Sequence, residues 1–162
     1  MADLGALVAL GDKDLIKAVV EDESLALARD AKTSWTGLHH AAKTGRAAAA
    51  ATLLAARADP CARTHHDSTA LHVAACQGHL DVAVILVRGE CPLEARDNKG
   101  NTALLRACQH GHAPIVQHLL GVGADATARN DAGQSAEDRA REGNHEDVLE
   151  ALGVTRDTRQ RV

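Results

Sequence analysis

The stretch Thr69-Ala-Leu-His-Val-Ala-Ala-Cys-Gln-Gly78 returns 33 positions later as Thr102-Ala-Leu-Leu-Arg-Ala-Cys-Gln-His-Gly111 and stands 33 positions earlier as Thr36-Gly-Leu-His-His-Ala-Ala-Lys-Thr-Gly45. Working outward, the same register carries Ser135, Ala140 and Asn144 in a fourth copy, and Leu53, Leu86, Leu119 and Leu152 further along each copy. Gly and Asn are the residues that tolerate the left-handed conformation ending a helix. Many coincident series at one period of this size mark a solenoid of stacked units.

Each unit reads as two short helices. The first covers 37–44, 70–77 and 103–110, and the Gly or Asn breaks it. The second begins near Ala48, Asp81, Pro114 and Asp147. An acid in the first turn suits the helix dipole, and a Pro there gives up no hydrogen bond. Ala49–Ala50, Val82–Ala83, Ile115–Val116 and Val148–Leu149 then face inward with the later Leu. Connectors follow as Ala28-Arg29-Asp30, Ala62-Arg63-Thr64, Ala95-Arg96-Asp97 and Ala128-Arg129-Asn130; Asp and Asn suit tight turns. One extra residue between Asp30 and Ser34 predicts a longer first hairpin. The arginine row is expected to be exposed along one edge, pairing with neighbours such as Asp30 or Asp97, and reads as a solubilising edge worth little energetically or as a docking strip for an acidic partner.

The segments 36–41, 69–74 and 102–107 resemble the ankyrin Thr-Pro-Leu-His-x-Ala signature, and Gly123-Ala124-Asp125 resembles that family's end of the second helix. The resemblance covers residues 30 to 153. It departs at the signature Pro, which is Gly37, Ala70, Ala103 and Ala136. It departs again at Leu105 in place of His, and at Arg57 and Glu90 where Gly123 ends its helix. Glu137 replaces the core Leu, which reads as a polar C-terminal cap. Residues 4–29 read as a degenerate first unit with Leu15, Ile16, Val19 and Val20 inward. The expected fold is therefore an all-α ankyrin-repeat solenoid of about five stacked helix-turn-helix units joined by short hairpin loops. It forms one domain over 1–155, with units near 4–30, 31–63, 64–96, 97–129 and 130–153 and a short tail, 156–162.

Composition agrees. The chain of 162 residues is 45% apolar yet has no Phe or Tyr, and Trp35 is the single aromatic of that class. Ala, Leu and Val fill a thin core better than a thick one. The net charge of −4 argues against nucleic acid, whose phosphates demand a basic face. No apolar run approaches the roughly 18 residues of a membrane span, and residues 1–4 lack the basic start of a secretory signal. Cys61, Cys76, Cys91 and Cys108 form no Cys-x-x-Cys pair and read as free thiols of a reducing compartment, the cytosol or the nucleus.

Ten histidines raise the question of a metal. His79, His112 and His145 recur once per unit, and units packed about 10 Å apart cannot bring them within about 2.3 Å of one ion. They read as loop-stabilising residues after the helix break. In the resembling family, residues placed like Thr36–His39 and Thr69–His72 tie down the turn; a Thr nucleophile activated by His lacks an orienting acid. His65–His66 have no repeat counterpart and read as a solvated tip, a partner contact or a surface metal site with Cys61. Cys76 and Cys108 read as small buried hydrophobes. No catalytic residue, metal or cofactor is expected.

Stacked repeats present a concave surface whose variable side chains choose a partner. The resemblance implies that this surface uses hairpin tips and the exposed face of the first helices: Lys32, Thr33, Trp35, Lys43 and Thr44, then His65, His66, Ser68 and Gln77, then Asn98, Lys99, Asn101, Gln109 and His110, and finally Asp131, Gln134 and Glu142. The face runs from basic to acidic. Trp35 has the polar counterparts Ser68, Asn101 and Gln134, so it is expected at a hairpin tip, partly exposed, beside Lys32 and Lys43. Function is expected to be binding of another protein as a scaffold or adaptor by a chain that is a monomer when unbound. An inhibitory subunit docking on an enzyme is an alternative, and a His/Cys metal-dependent enzyme a third reading.

Overall fold

A computed structural model describes residues 14, 17, 18 and 27–154. The expected first unit, apart from its last residues and those three positions, and the expected tail lie outside the described residues. From residue 37 on, helices come in pairs: α1 (Gly37–Thr44) with α2 (Ala47–Ala55), α3 (Ala70–Gln77) with α4 (Leu80–Arg88), α5 (Ala103–His110) with α6 (Ala113–Gly121), and α7 (Ala136–Glu142) with α8 (Glu146–Ala151). The described residues contain no strand, only an isolated bridge between Arg29 and Thr36.

The repeated residues explain the repeated boundaries. Thr36, Thr69, Thr102 and Ser135 are the extended N-caps of α1, α3, α5 and α7. Gly45, Gly78 and Gly111 end the first three of these helices at φ of 72°, 82° and 77°. In the fourth, Asn144 takes the left-handed position at φ 55°, as its place in the register predicts. The second helices begin one residue earlier than expected, because His79, His112 and His145 serve as their N-caps. At the far end, Arg57 and Glu90 take φ of 62° and 64° where Gly123 takes 96°. Two side-chain-bearing residues thus accept a backbone conformation that costs about 1–2 kcal/mol without a glycine.

The helices stack in two rows, α1–α3–α5–α7 and α2–α4–α6–α8, each touching its neighbour in the row and its partner in the pair. A continuous core runs between them through Leu38, Leu53, Leu71, Leu86, Leu104, Ile115, Val116 and Leu119, closing on Ala136, Ala140 and Val148. Ala49 and Ala50 fill, fully buried, the place that Ile115 and Val116 fill two units later. Glu137 sits in the last unit and pairs along α7 with Arg141 Nε at 2.9 Å, so the stack ends on a polar helix.

Candidate functional site

The site is built on the hairpins that precede the first helices. Thr64 N–H donates to Ser68 O at 3.0 Å, Asp97 N–H to Asn101 O at 2.9 Å and Asn130 N–H to Gln134 O at 3.1 Å. In the first hairpin, Asp30 N–H reaches Trp35 O at 2.8 Å, one residue further, which is the insertion seen in the sequence. Inside each turn the side chain of Asp30, Thr64, Asp97 or Asn130 accepts backbone amides two to four residues on, the local bonding that makes these residues turn formers. Successive tips are joined by single backbone bonds: His65 N–H to Thr33 O at 3.3 Å, Asn98 N–H to His66 O at 3.0 Å, and Asp131 N–H to Lys99 O at 3.1 Å.

Histidines lock this edge to the helices. His39 Nε2–H donates to Ser68 O at 3.0 Å, leaving Nδ1 to face Thr36 N at 3.2 Å and Thr36 Oγ1 at 2.9 Å. His72 does the same with Asn101 O at 2.9 Å and Thr69. Burial pushes the His39 pKa down to about 4 and lowers that of His72, against the opposing effect of these carbonyls. Leu105 removes the histidine from the third unit; there the Asn130 Nδ2–H donates to Asn101 Oδ1 at 3.0 Å and links the third and fourth hairpins instead. His79, His112 and His145 cap the preceding unit, donating from Nε2 to Lys43 O, Cys76 O and Gln109 O at 3.3, 3.1 and 3.1 Å. A Cβ on Gly78 would fall 2.6 Å from the His112 ring, so the glycine serves close approach as well as its positive φ. These histidines are structural, as their register implies.

On this frame lies a concave groove of about 470 Å³, lined by Trp35, His66, Ser68, His72, Val73, Cys76, Gln77, Asn98, Lys99 and Arg106. Trp35 is half-buried. Its ring meets His40 edge-on at 5.1 Å and His39 at 5.9 Å, and Lys43 Nζ lies 5.5 Å from its centroid. At the other end, Arg106 Nε donates to Asp97 Oδ2 at 2.7 Å. Burial alone would raise the Asp97 carboxyl; the amides of Lys99 and Asn101 and the Arg106 guanidinium outweigh it and hold the group below the usual carboxylate range. Cys76 Sγ lies 3.2 Å from His110 Nε2, and burial raises its thiol pKa; it is not an activated nucleophile.

Lys32, Lys43, His65, His66, Gln77, Asn98, Lys99 and His110 are exposed, while Trp35, Ser68 and Gln109 are half-buried. His65 touches Ser34 Oγ at 3.5 Å and His66 Nδ1 lies 3.4 Å from Asn98 Nδ2, so both bridge neighbouring tips. Asn101 departs from its expected place. It is only 1% exposed, because its amide serves Asp97 and Asn130 inside the hairpin. Cys76 departs too: Cys108 is buried, but Cys76 lines the groove. It occupies the register position of Lys43, Gln109 and Glu142. Val73 and Arg106, also unforeseen, stand at the signature's variable position, shared with His40 and Arg139. That variability is the signal that points to them.

The arginine row is exposed as expected; two of its members pair with an Asp, Arg29 with Asp59 at 3.9 Å and Arg129 with Asp138 at 3.6 Å, but Asp30 and Asp97 are not the partners. Arg29, Arg63 and Arg96 each reach across to the next unit, Nη1–H donating to Arg63 O, Arg96 O and Arg129 O at 3.2, 2.8 and 2.8 Å. The carboxylates of Asp30 and Asp97 are already engaged, the first by amides of its own turn and the second by Arg106 and amides. The first three arginines staple one unit to the next, while Arg63, Arg96 and Arg129 also bond carbonyls of their own hairpins. Among the described residues no three His, Cys, Asp or Glu side chains are grouped to hold a metal ion, and no helix is long and apolar enough to cross a membrane.

A comparison with curated proteins returned no significant match. A family model described as ankyrin repeats (3 copies) matches residues 4–97 and 38–130, a span well over half of the 162 residues. Period, capped helix pairs, hairpin edge and family match agree: the chain belongs to the ankyrin-repeat family.

Proposed function

We propose that the chain is a protein-binding module whose concave groove, from the Trp35 hairpin to Lys99, receives a partner protein. Proteins of this family are generally interaction modules. The observation that carries the reading is Trp35: a large ring standing half-exposed at the mouth of the groove, outside the repeating core. Trp is enriched among residues that dominate binding energy, and here its orientation is fixed by His39, His40 and Lys43. The surrounding frame is rigid, since hairpin tips, histidine ties and arginine staples bond each unit to the next. A preorganised face loses less entropy on association.

The test is a comparative pull-down with mass spectrometry. The full chain, a Trp35→Ala/Gln77→Ala variant and a Val122→Ala variant on the second-helix row serve as baits. A partner retained by the first and third and lost from the second supports the reading. Partners retained equally by all three remove the groove from the account.

A further inference from the structure

The groove has a charge character opposite to that of the chain. The whole sequence carries a net charge of −4, yet no Asp or Glu lines the groove, while Lys99 and Arg106 do and Lys43 stands over Trp35 at its mouth. Asp97 is buried beneath and paired with Arg106, while the exposed Asp67, between the lining residues His66 and Ser68, is the acid of the second tip. Arg106 is thereby committed, leaving the amines of Lys43 and Lys99 as the cations offered outward. Asp30, at the first tip, accepts three hydrogen bonds from Lys32 and Thr33 within its own turn. Trp35, under Lys43, and Val73 give the groove that Lys99 also lines its apolar surface.

We infer that this groove takes an acidic peptide segment of a partner protein, with carboxylates meeting Lys43 and Lys99 on either side of an apolar side chain seated against Trp35 and Val73. The inference rests on the proposed binding role and adds the chemistry of the partner. Two amines and an apolar floor fit spaced acids around a hydrophobe. A basic segment would face like charge, which costs affinity and association rate. The acid of the fourth tip, Asp131, stands next to Lys99, its N–H donating to Lys99 O at 3.1 Å, and marks the far limit of the two amines.

The experiment uses the full chain and a displayed library of random dodecapeptides. Selected peptides are synthesised and titrated while Trp35, the sole tryptophan, reports binding by its emission. The expected result is enrichment of peptides with Asp or Glu flanking an apolar residue. They should change Trp35 emission and lose about tenfold in affinity to Lys99→Glu, mostly in association rate and less so at high salt. Selection repeated on Lys43→Glu/Lys99→Glu should lose the acidic bias. Neutral or basic peptides that still shift Trp35 emission would overturn the inference and leave the groove reading intact. Peptides that bind without affecting Trp35, or no enrichment at all, would overturn both. Tighter binding of a mixed single-stranded RNA 12-mer than of any acidic peptide would also overturn the inference.

Discussion

Acid should weaken this fold first through its buried histidines, ahead of the carboxylates that the fold holds below their ordinary value. His39 lies fully buried with Nδ1 facing the Thr36 amide and hydroxyl and Nε2–H donating to Ser68 O. A proton on Nδ1 would point at a donor. The folded pKa of about 4 lies below the ordinary 6.5, so between those values the unfolded chain binds more protons than the folded one. Stability is therefore complete above pH 6.5 and is lost as pH falls towards 4. At pH 5 the loss from His39 amounts to about 2 kcal/mol, since each tenfold difference in proton affinity between the two states is worth about 1.4 kcal/mol. His72, displaced the same way by burial, adds to it. The lowered carboxylates, Asp30, Asp97, Asp125 and Asp138, start from 3.8 and withdraw their contribution only below that. Urea unfolding followed by far-ultraviolet circular dichroism at pH 7.5, 6 and 5 measures the slope without relying on Trp35, whose ring lies against His39 and His40. The matched variant is His39→Leu, since Leu105 already fills the equivalent place in the third unit. It should be less stable at pH 7.5 but show a pH 7.5-to-5 loss smaller than the parent's by about 2 kcal/mol. Equal losses in parent and variant, or a stability that rises on acidification, would refute the argument.

Arg57→Gly and Glu90→Gly should each raise stability by about 1 kcal/mol by relieving the positive φ; a melting temperature that falls in both would contradict it. Asn144→Ala should cost about 1 kcal/mol for the same reason, measured by denaturant unfolding. Amide hydrogen exchange should be faster over residues 38–56 than over 103–121, because Ala49 and Ala50 bury fewer methylenes than Ile115 and Val116, at about 0.8 kcal/mol each; equal protection would count against it.

The repeat register, the helix pairs, the longer first hairpin and the left-handed Asn144 are legible in the sequence because each follows from one residue recurring at one period. What is not legible lies where residue type and exposure part company. Asn101 is polar, which places it outside on residue type alone. Yet a hairpin needs its interior amides and carbonyls satisfied, and Asn101 does that from a buried position. Cys76 reads as a small buried hydrophobe, although its register position is also that of Lys43 and Gln109, which face the concave side. The exposure of the arginine row is readable from its period. Its carbonyl partners are not, since some belong to its own hairpin and others to the next unit, and sequence spacing alone does not orient a guanidinium. Val73 and Arg106 escape notice because the signature is defined by its constant positions, while the variable one faces the groove.

The central claim, that the groove around Trp35 binds a partner, is tested most directly by titrating the native chain and Trp35→Ala against the partner retained in the comparative pull-down, with melting temperatures taken on the same samples. The account predicts a loss of about 30-fold in affinity, or about 2 kcal/mol, with a melting temperature lowered by no more than about 3 °C. Unchanged affinity, or a loss seen only where the variant has also unfolded, would contradict it and leave Trp35 as a local staple over the first hairpin.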